Sequence, residues 1–458
     1  MLFCIYEVKN MSEKLTGLQL FLKPVRAFSL LVVLSFVLTL AGAVTPVRAA
    51  PQAAAGDLDQ CRNGTLASPA DCVAGTPPLG WVNGNANGTQ AHWTEGQSIP
   101  YRIRLTGLTN GQHELTIRYD YTAPTGEHAF DYLTTFNRSA PSADPCSDFL
   151  IPCPAPATFP IPVDPVLATC STPQHDPVGG GVPQLPGDFT IYNGTITDAA
   201  YVGTHTCHDS AIQVSMIITF TSTAPDTLIA WSAHIAPEFD WGNGESAHSI
   251  SGAPYHMTFI DLDGSGGNQD RSMMTNAVYA TNISTTVSDT DLTVMGPVFD
   301  TATIEGFQGS TISTDPVLAG TLNFYICADT VAPYAAPFTS GCDHSSGTLL
   351  TAIPITVNGN GSYQSPDYTP TQNGYYCFRA EFTPAEGSPY PFARESNTSK
   401  VNPLAECFLV NDPLPVTLSS LQAGGADAIT SFFLVAAATL LIGLSFLVMD
   451  GRLLGNRK

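Results

Sequence analysis

Charge is scarce in this sequence: Asp, Glu, Lys and Arg make up 12% of 458 residues, about half the share of an ordinary soluble domain. What charge there is falls on one side, with 17 Lys and Arg against 39 Asp and Glu and a net charge of -22. A chain this acidic has no electrostatic footprint for phosphate, which excludes nucleic acid as a partner. Several catalytic signatures are also missing. There is no Gly-x-Ser-x-Gly elbow, no Gly-rich phosphate loop, no dinucleotide fingerprint, no His-Glu-x-x-His and no Cys-x-x-Cys pair. Long helices are excluded by punctuation, because 39 Gly and 36 Pro together give 75 breakers. Hydrophobic residues still reach 43%, enough for a packed core, so the surface has to be built from Thr, Ser, Asn and Gly. The composition is that of an extracytoplasmic β protein.

The two ends carry targeting patterns. Lys14, Lys23 and Arg26 precede an apolar run over 27–44, and Val47 and Ala49 supply the small residues before a signal-peptidase cut. Residues 1–50 therefore read as a signal peptide, with Met11 as an alternative start. Residues 429–449 form a stretch of 21 without charge, long enough as a helix to span roughly 30 Å of hydrocarbon. Arg452, Arg457 and Lys458 follow it, so the positive-inside rule places 450–458 in the cytoplasm and the ectodomain outside. The expected protein is a single-pass cell-surface protein, membrane-bound through this C-terminal helix after a linker over 412–428. Leu414-Pro415-Val416-Thr417-Leu418, then the span and the basic tail, resemble a sortase cell-wall sorting signal. Cell-wall attachment is what that resemblance implies. Leu418 stands where the sortase pattern has Gly, which favours a retained membrane anchor.

Ten cysteines lie in the ectodomain: Cys61, Cys72, Cys146, Cys153, Cys170 and Cys207 in one group, Cys327, Cys342, Cys377 and Cys407 in a second. Even counts in an exported protein favour disulfides. Proximity pairs Cys61 with Cys72, Cys327 with Cys342 and Cys377 with Cys407, and leaves the other four open. The ectodomain holds nine basic residues against 36 acidic ones, a net of -27, and Lys400 is its single lysine.

Hydrophobic periodicity then sets the fold class. Tyr101, Ile103 and Leu105 alternate with Arg102 and Arg104, and past Asn110-Gly111 so do Leu115, Ile117 and Tyr119 with polar residues. Period two about a turn signal predicts a β-hairpin. Ile212 to Phe220 and Ile229 to Ile235 repeat the pattern about Pro225-Asp226 and predict two half-buried strands, with His234 pointing outward. Between these clusters, 141–186 contains 12 Pro and three of the cysteines, a long loop that needs stapling. Residues 51–280 thus read as an antiparallel β-sandwich domain. From about Thr281 the texture changes to short strands at even spacing through 411, which predicts a second sandwich.

Within that second region, Gly320-Thr321-Leu322-Asn323-Phe324-Tyr325, Tyr368-Thr369-Pro370-Thr371 and 374–382 resemble the middle and late strands of bacterial immunoglobulin-like repeats. Tyr375, two residues before Cys377, fits the tyrosine corner of such domains. The resemblance covers about 285–410. It implies an immunoglobulin-like sandwich and a stalk or adhesin module, and it indicates no ligand. Residues 126–133 and 251–257 resemble more faintly the amino-terminal β region of large secreted surface proteins of Gram-positive-type bacteria. Some of those proteins carry Lys-Asn isopeptide cross-links, for which Lys400 in its polar stretch is a poor candidate.

Two constellations could carry chemistry. Asp261, Asp263, Ser265, Asn268 and Asp270 fall in one Gly-rich turn, the oxygen-donor set and flexibility that Ca²⁺ takes. It begins like an EF-hand loop but has Ser272 at the twelfth position and no flanking helices, so a polar surface turn is the simpler reading. His234, His248 and His256 lie near Glu238, Asp240 and Glu245, with His205 and His208 upstream, at spacings that match no zinc motif. The leading expectation is a structural or adhesive ectodomain with an extracellular protein or glycan ligand and no active site. The alternative is a tethered hydrolase or Ca²⁺-dependent glycan-binding module using 234–270. Apart from that candidate calcium, no cofactor is expected.

Overall fold

The computed structural model describes residues 53–73, 79–148, 153–170, 172, 182–252, 254–331, 347–395 and 406–411. The signal region, Cys342, Lys400, the 412–428 linker and the 429–449 segment lie outside the described residues. Among the described residues no helix is long and apolar enough to cross a membrane. The chain is all-β.

The first domain is built from strands β1 (Ala55–Arg62), β2 (Gly80–Val82), β3 (Ser98–Thr106), β4 (Gly111–Asp120), β5 (Phe130–Thr134) and β6 (Ala157–Pro160). It continues with β7 (Asp188–Tyr192), β8 (Gly194–Val202), β9 (Gln213–Ser222), β10 (Thr227–Ile235), β11 (Tyr255–Leu262) and β12 (Ser265–Met273). One sheet runs β2-β1-β3-β10-β7-β6, with β5 also on β10; the other runs β8-β9-β4-β11-β12. Both are antiparallel. Their inner faces meet in one core, where Ile103, Tyr101 and Trp231 from the first sheet lie with Ile117, Met216 and Phe220 from the second. Tyr101 stacks on Trp231 at 6.4 Å between ring centroids, so large flat rings fill the centre of the layer.

The expected hairpin between β3 and β4 does not form. β3 pairs with β1 and β10, whereas β4 pairs with β9 and β11. The chain crosses from one sheet to the other after Thr106, and again between β7 and β8 and between β9 and β10. Period-two alternation buries one face of a strand whether its neighbour in sequence lies beside it or opposite it. Alternation therefore could not tell an arch from a hairpin. The structure also corrects the orientation of His234. β10 is buried along all nine residues, because it is central in its sheet, and His234 is only 5% exposed.

The Pro-rich segment is held down at several points. β6 adds to the edge of β7, Cys146–Cys153 and Cys170–Cys207 are disulfides, and Arg102 Nη1 donates to the carbonyls of Pro145 and Ser147.

The second domain comprises β13 (Val278–Val287), β14 (Asp300–Gln308), β15 (Ala319–Asp329), β16 (Ile355–Asn358), β17 (Gly361–Gln364), β18 (Gly374–Pro384) and β19 (Cys407–Val410). β13, β14 and β17 form one sheet, and β19-β18-β15 with β16 form the other. Ile283, Ala302 and Ile304 of the first face Leu322, Phe324, Ala380 and Phe382 of the second, a β-sandwich. The Cys377–Cys407 disulfide departs from the immunoglobulin pattern, since the two are register partners on adjacent strands of one sheet. A tyrosine in this strand does turn back onto the backbone upstream: the Tyr376 hydroxyl donates to the Gln372 carbonyl at 2.8 Å. In β18 every residue from Gly374 to Ala380 is buried.

The two sandwiches share structure. Trp93–Thr94, from the first domain's sequence, pairs in parallel with Val278–Tyr279 and extends the second domain's sheet. Arg394 stacks over Phe239, and Asn243 and Asn282 exchange amide hydrogen bonds.

Candidate functional site

The turn expected to wrap a cation is the tip of the β11–β12 hairpin. Leu262 pairs with Ser265, so Asp263 and Gly264 alone make the turn, both at positive φ, 56° and 77°. Asp-Gly with two left-handed residues is the tight turn whose twist suits a hairpin. The acidic side chains there face protein donors. Asp263 Oδ1 accepts the Glu114 amide at 2.9 Å and Oδ2 meets His113 Nδ1 at 2.6 Å. Asp261 Oδ2 accepts the Gly264 amide, and Asp270 Oδ1 accepts the Thr258 hydroxyl. Asp270 lies opposite Thr258, on the far side of a bulge from Asp261, and Ser265 and Asn268 are exposed. Asp261, Asp263 and Asp270 do not converge: among the described residues the one group of three His, Cys, Asp or Glu side chains with ligand atoms within 4.8 Å of one another is Cys170, Cys207 and His208, and its two sulfurs are already bonded to each other.

His234, His256, His205 and His248 each meet a different carboxylate. His234 Nδ1 contacts Asp131 Oδ1 at 2.7 Å, with both residues buried and Tyr132 stacked on the imidazole. His256 Nδ1 contacts Asp120 Oδ2 at 2.8 Å, and His205 Nε2 contacts Asp164 Oδ2 at 3.0 Å. His248 sits at the domain junction. Its ring nitrogen Nδ1 and its amide both meet Glu95 Oε1, while Glu95 Oε2 accepts the Glu238 amide. His248 also packs on Phe307 of the second sandwich, and the Glu95 amide donates to the Tyr279 carbonyl. Glu95 therefore ties both domains together. Its role, like those of Asp131 and Asp120, had no signal in spacing, because the partners lie 103 to 153 residues apart.

These contacts set protonation. Burial alone would lower the His234 pKa, but the charge and hydrogen bond of Asp131 outweigh it and raise it. Burial raises Asp131 more than His234 lowers it, so the pair holds its proton firmly. His113 is raised in the same way: burial opposes the charged ring, and Asp263 with the Thr109 carbonyl overcomes it. For His256 the Asp120 hydrogen bond dominates and raises it. A folded-state pKa above the unfolded value near 6.5 gives a contribution that is complete below about pH 6.5 and is lost as pH rises through the folded value. The melting temperature of the first domain should fall as pH rises above about 6.5, and Asp263→Asn should flatten part of that slope. An unchanged slope in the variant would remove the His113 pair from the account.

All nine cysteines among the described residues are disulfide-bonded. Cys61–Cys72 and Cys377–Cys407 form as proximity predicted, and Cys327 is bonded too, its expected partner Cys342 lying outside the described residues. An open groove of about 340 Å³ at the end of β15, lined by Gly320, Thr356, Val357 and Thr383 among others, contains no ionisable side chain.

Fold and site together define a disulfide-stapled, all-β protein of two sandwiches, pinned internally by carboxylate–imidazole pairs. No family model and no curated protein matches the sequence. Among solved structures, the Yersinia pseudotuberculosis adhesin InvE aligns at 10% identity over 52% of this chain, with a TM-score of 0.16. This chain spans 57% of that adhesin. The type II cohesin dyad from the adaptor ScaA scaffoldin of Acetivibrio cellulolyticus aligns at 12% identity over 71% of this chain and 95% of its own, with a TM-score of 0.17. At such scores neither alignment bears on what this chain does.

Proposed function

We propose that this is a membrane-tethered bacterial surface protein whose ectodomain is structural or adhesive rather than catalytic. The observation that carries this reading is the oxidised state of every described cysteine, which belongs to an oxidising compartment. It agrees with the signal pattern over 1–50, the apolar stretch over 429–449 and the basic tail. His113, His205, His234, His248 and His256 each meet a carboxylate from a distant part of the chain, contacts that hold the fold together. A junction made by a shared strand, Glu95 and the Phe239–Arg394 contact suits a stiff arm that carries a binding face away from the membrane. The partner that fits is an extracellular protein or glycan, and no cofactor is assigned to this role.

Deleting residues 429–458 should release the ectodomain into the medium, as followed by immunoblot of cells and supernatant. Full retention on the cells would show an attachment other than this segment. Recovery of a chain ending at Thr417 and joined to wall fragments would replace the membrane anchor with sortase attachment.

A further inference from the structure

We propose that Cys170–Cys207 is a thiol-exchangeable disulfide, with His208 supplying the proton to the sulfur that leaves. Four disulfides have both partners among the described residues, and their surroundings differ. In Cys61–Cys72 and Cys377–Cys407 all four residues are at most 2% exposed, so an incoming thiol has no approach. Cys146–Cys153 is half-buried at both ends. Cys170–Cys207 is asymmetric, with Cys170 buried, Cys207 half-buried and the adjoining His208 exposed. His208 Nε2 stands 3.9 Å from Cys170 Sγ, within reach of a hydrogen bond to sulfur. The imidazole is held there by edge contacts with the rings of His128 and Trp241.

This arrangement separates the two sulfurs by role. A thiolate attacks the accessible Cys207 Sγ and forms a mixed disulfide; the Cys170–Cys207 bond breaks, its electron pair passes to Cys170 Sγ, and the proton on His208 Nε2 moves to that sulfur. A second equivalent of thiol attacks the mixed disulfide, releasing Cys207 and the oxidised thiol. Two thiols are oxidised to one disulfide and the protein disulfide is reduced to two thiols, so electrons and protons balance. A nearby imidazolium lowers the pKa of a thiol, and a thiol of lower pKa leaves faster. The same chemistry serves a small external thiol or a cysteine on a partner protein.

The test uses the full chain in detergent, exposed to reduced glutathione under native conditions. Aliquots are quenched with iodoacetamide and peptide-mapped for each cysteine. Cys170 and Cys207 should be alkylated before Cys146 and Cys153, and His208→Gln should slow their opening by about tenfold while Cys146–Cys153 opens at its original rate. Protein-thiol exchange is then read with a cysteine-containing peptide in place of glutathione, the mixed disulfide falling on Cys207. Opening of Cys146–Cys153 as fast as Cys170–Cys207 in the unaltered protein overturns the proposal, whatever the variant does. So does a His208→Gln protein with the same melting temperature that still exchanges at the original rate.

Discussion

Replacing Asp131 with Ala will cost the first sandwich about 3 kcal/mol, whereas Asp131→Asn will cost about 1 kcal/mol. Asp131 is fully buried, contacts His234 Nδ1 at 2.7 Å and accepts from Trp241 Nε1 at 3.5 Å. Truncation leaves a buried imidazole and an indole N–H facing a cavity, and an unpaired donor there carries its full desolvation penalty. Asn keeps the shape and one acceptor, so most of the hydrogen bonding survives. Burial raises Asp131 while Asp131 raises His234, so removing the carboxylate also returns His234 to a buried and more easily neutral ring. The contribution of the His234 proton that fades as pH rises through the raised folded value should vanish with it. Urea denaturation of Asp131→Ala, Asp131→Asn and His234→Gln, with the Asp131→Asn and His234→Gln double variant, gives the coupling directly. Equal losses for Ala and Asn would show that the pair is packing and not a hydrogen-bonded clamp.

A second large effect is expected at the far end of the protein. Cys377→Ala with Cys407→Ala opens a bridge between residues 30 apart, for which the chain-entropy relation gives about 3.5 kcal/mol. β19 is four residues long and pairs with the N-terminal end of β18, Gly374 to Cys377, and with Asp291–Leu292. Without the bridge it has few contacts to keep it in the sheet, and Phe408, stacked on Tyr376 at 5.3 Å, leaves the core with it. The denaturation transition of the second sandwich should shift by that amount while the first domain's transition stays in place. A loss below about 1 kcal/mol would mean that β19 is held by its packing alone.

Much of this architecture was legible in the sequence, and the unreadable parts share a cause. Alternation at Tyr101, Ile103 and Leu105 identified a strand, because alternation is a local property. Two disulfides followed from proximity alone. The arch after Thr106 did not, since a half-buried strand has the same period whichever sheet its neighbour joins. Nor did the burial of His234, which depends on β10 being flanked by β3, β7 and β5. The carboxylate–imidazole pairs bridge residues more than 100 apart, and no pattern in one sequence links Asp131 to His234 or Glu95 to His248. The 261–270 segment shows the converse. Its Asp and Gly suggested a cation loop beside the simpler reading of a polar surface turn, and the strand pairing of Leu262 with Ser265 makes Asp263-Gly264 the tip of a hairpin.

Protease shaving of intact cells under alkylating, non-reducing conditions tests the surface reading most directly. The account predicts that peptides from 53–411 are released into the medium, still joined as Cys61–Cys72, Cys146–Cys153, Cys170–Cys207 and Cys377–Cys407, with no alkylated cysteine, and that 450–458 stays with the cells. Peptides from 53–411 that appear only after lysis, or that carry alkylated cysteines, would contradict it.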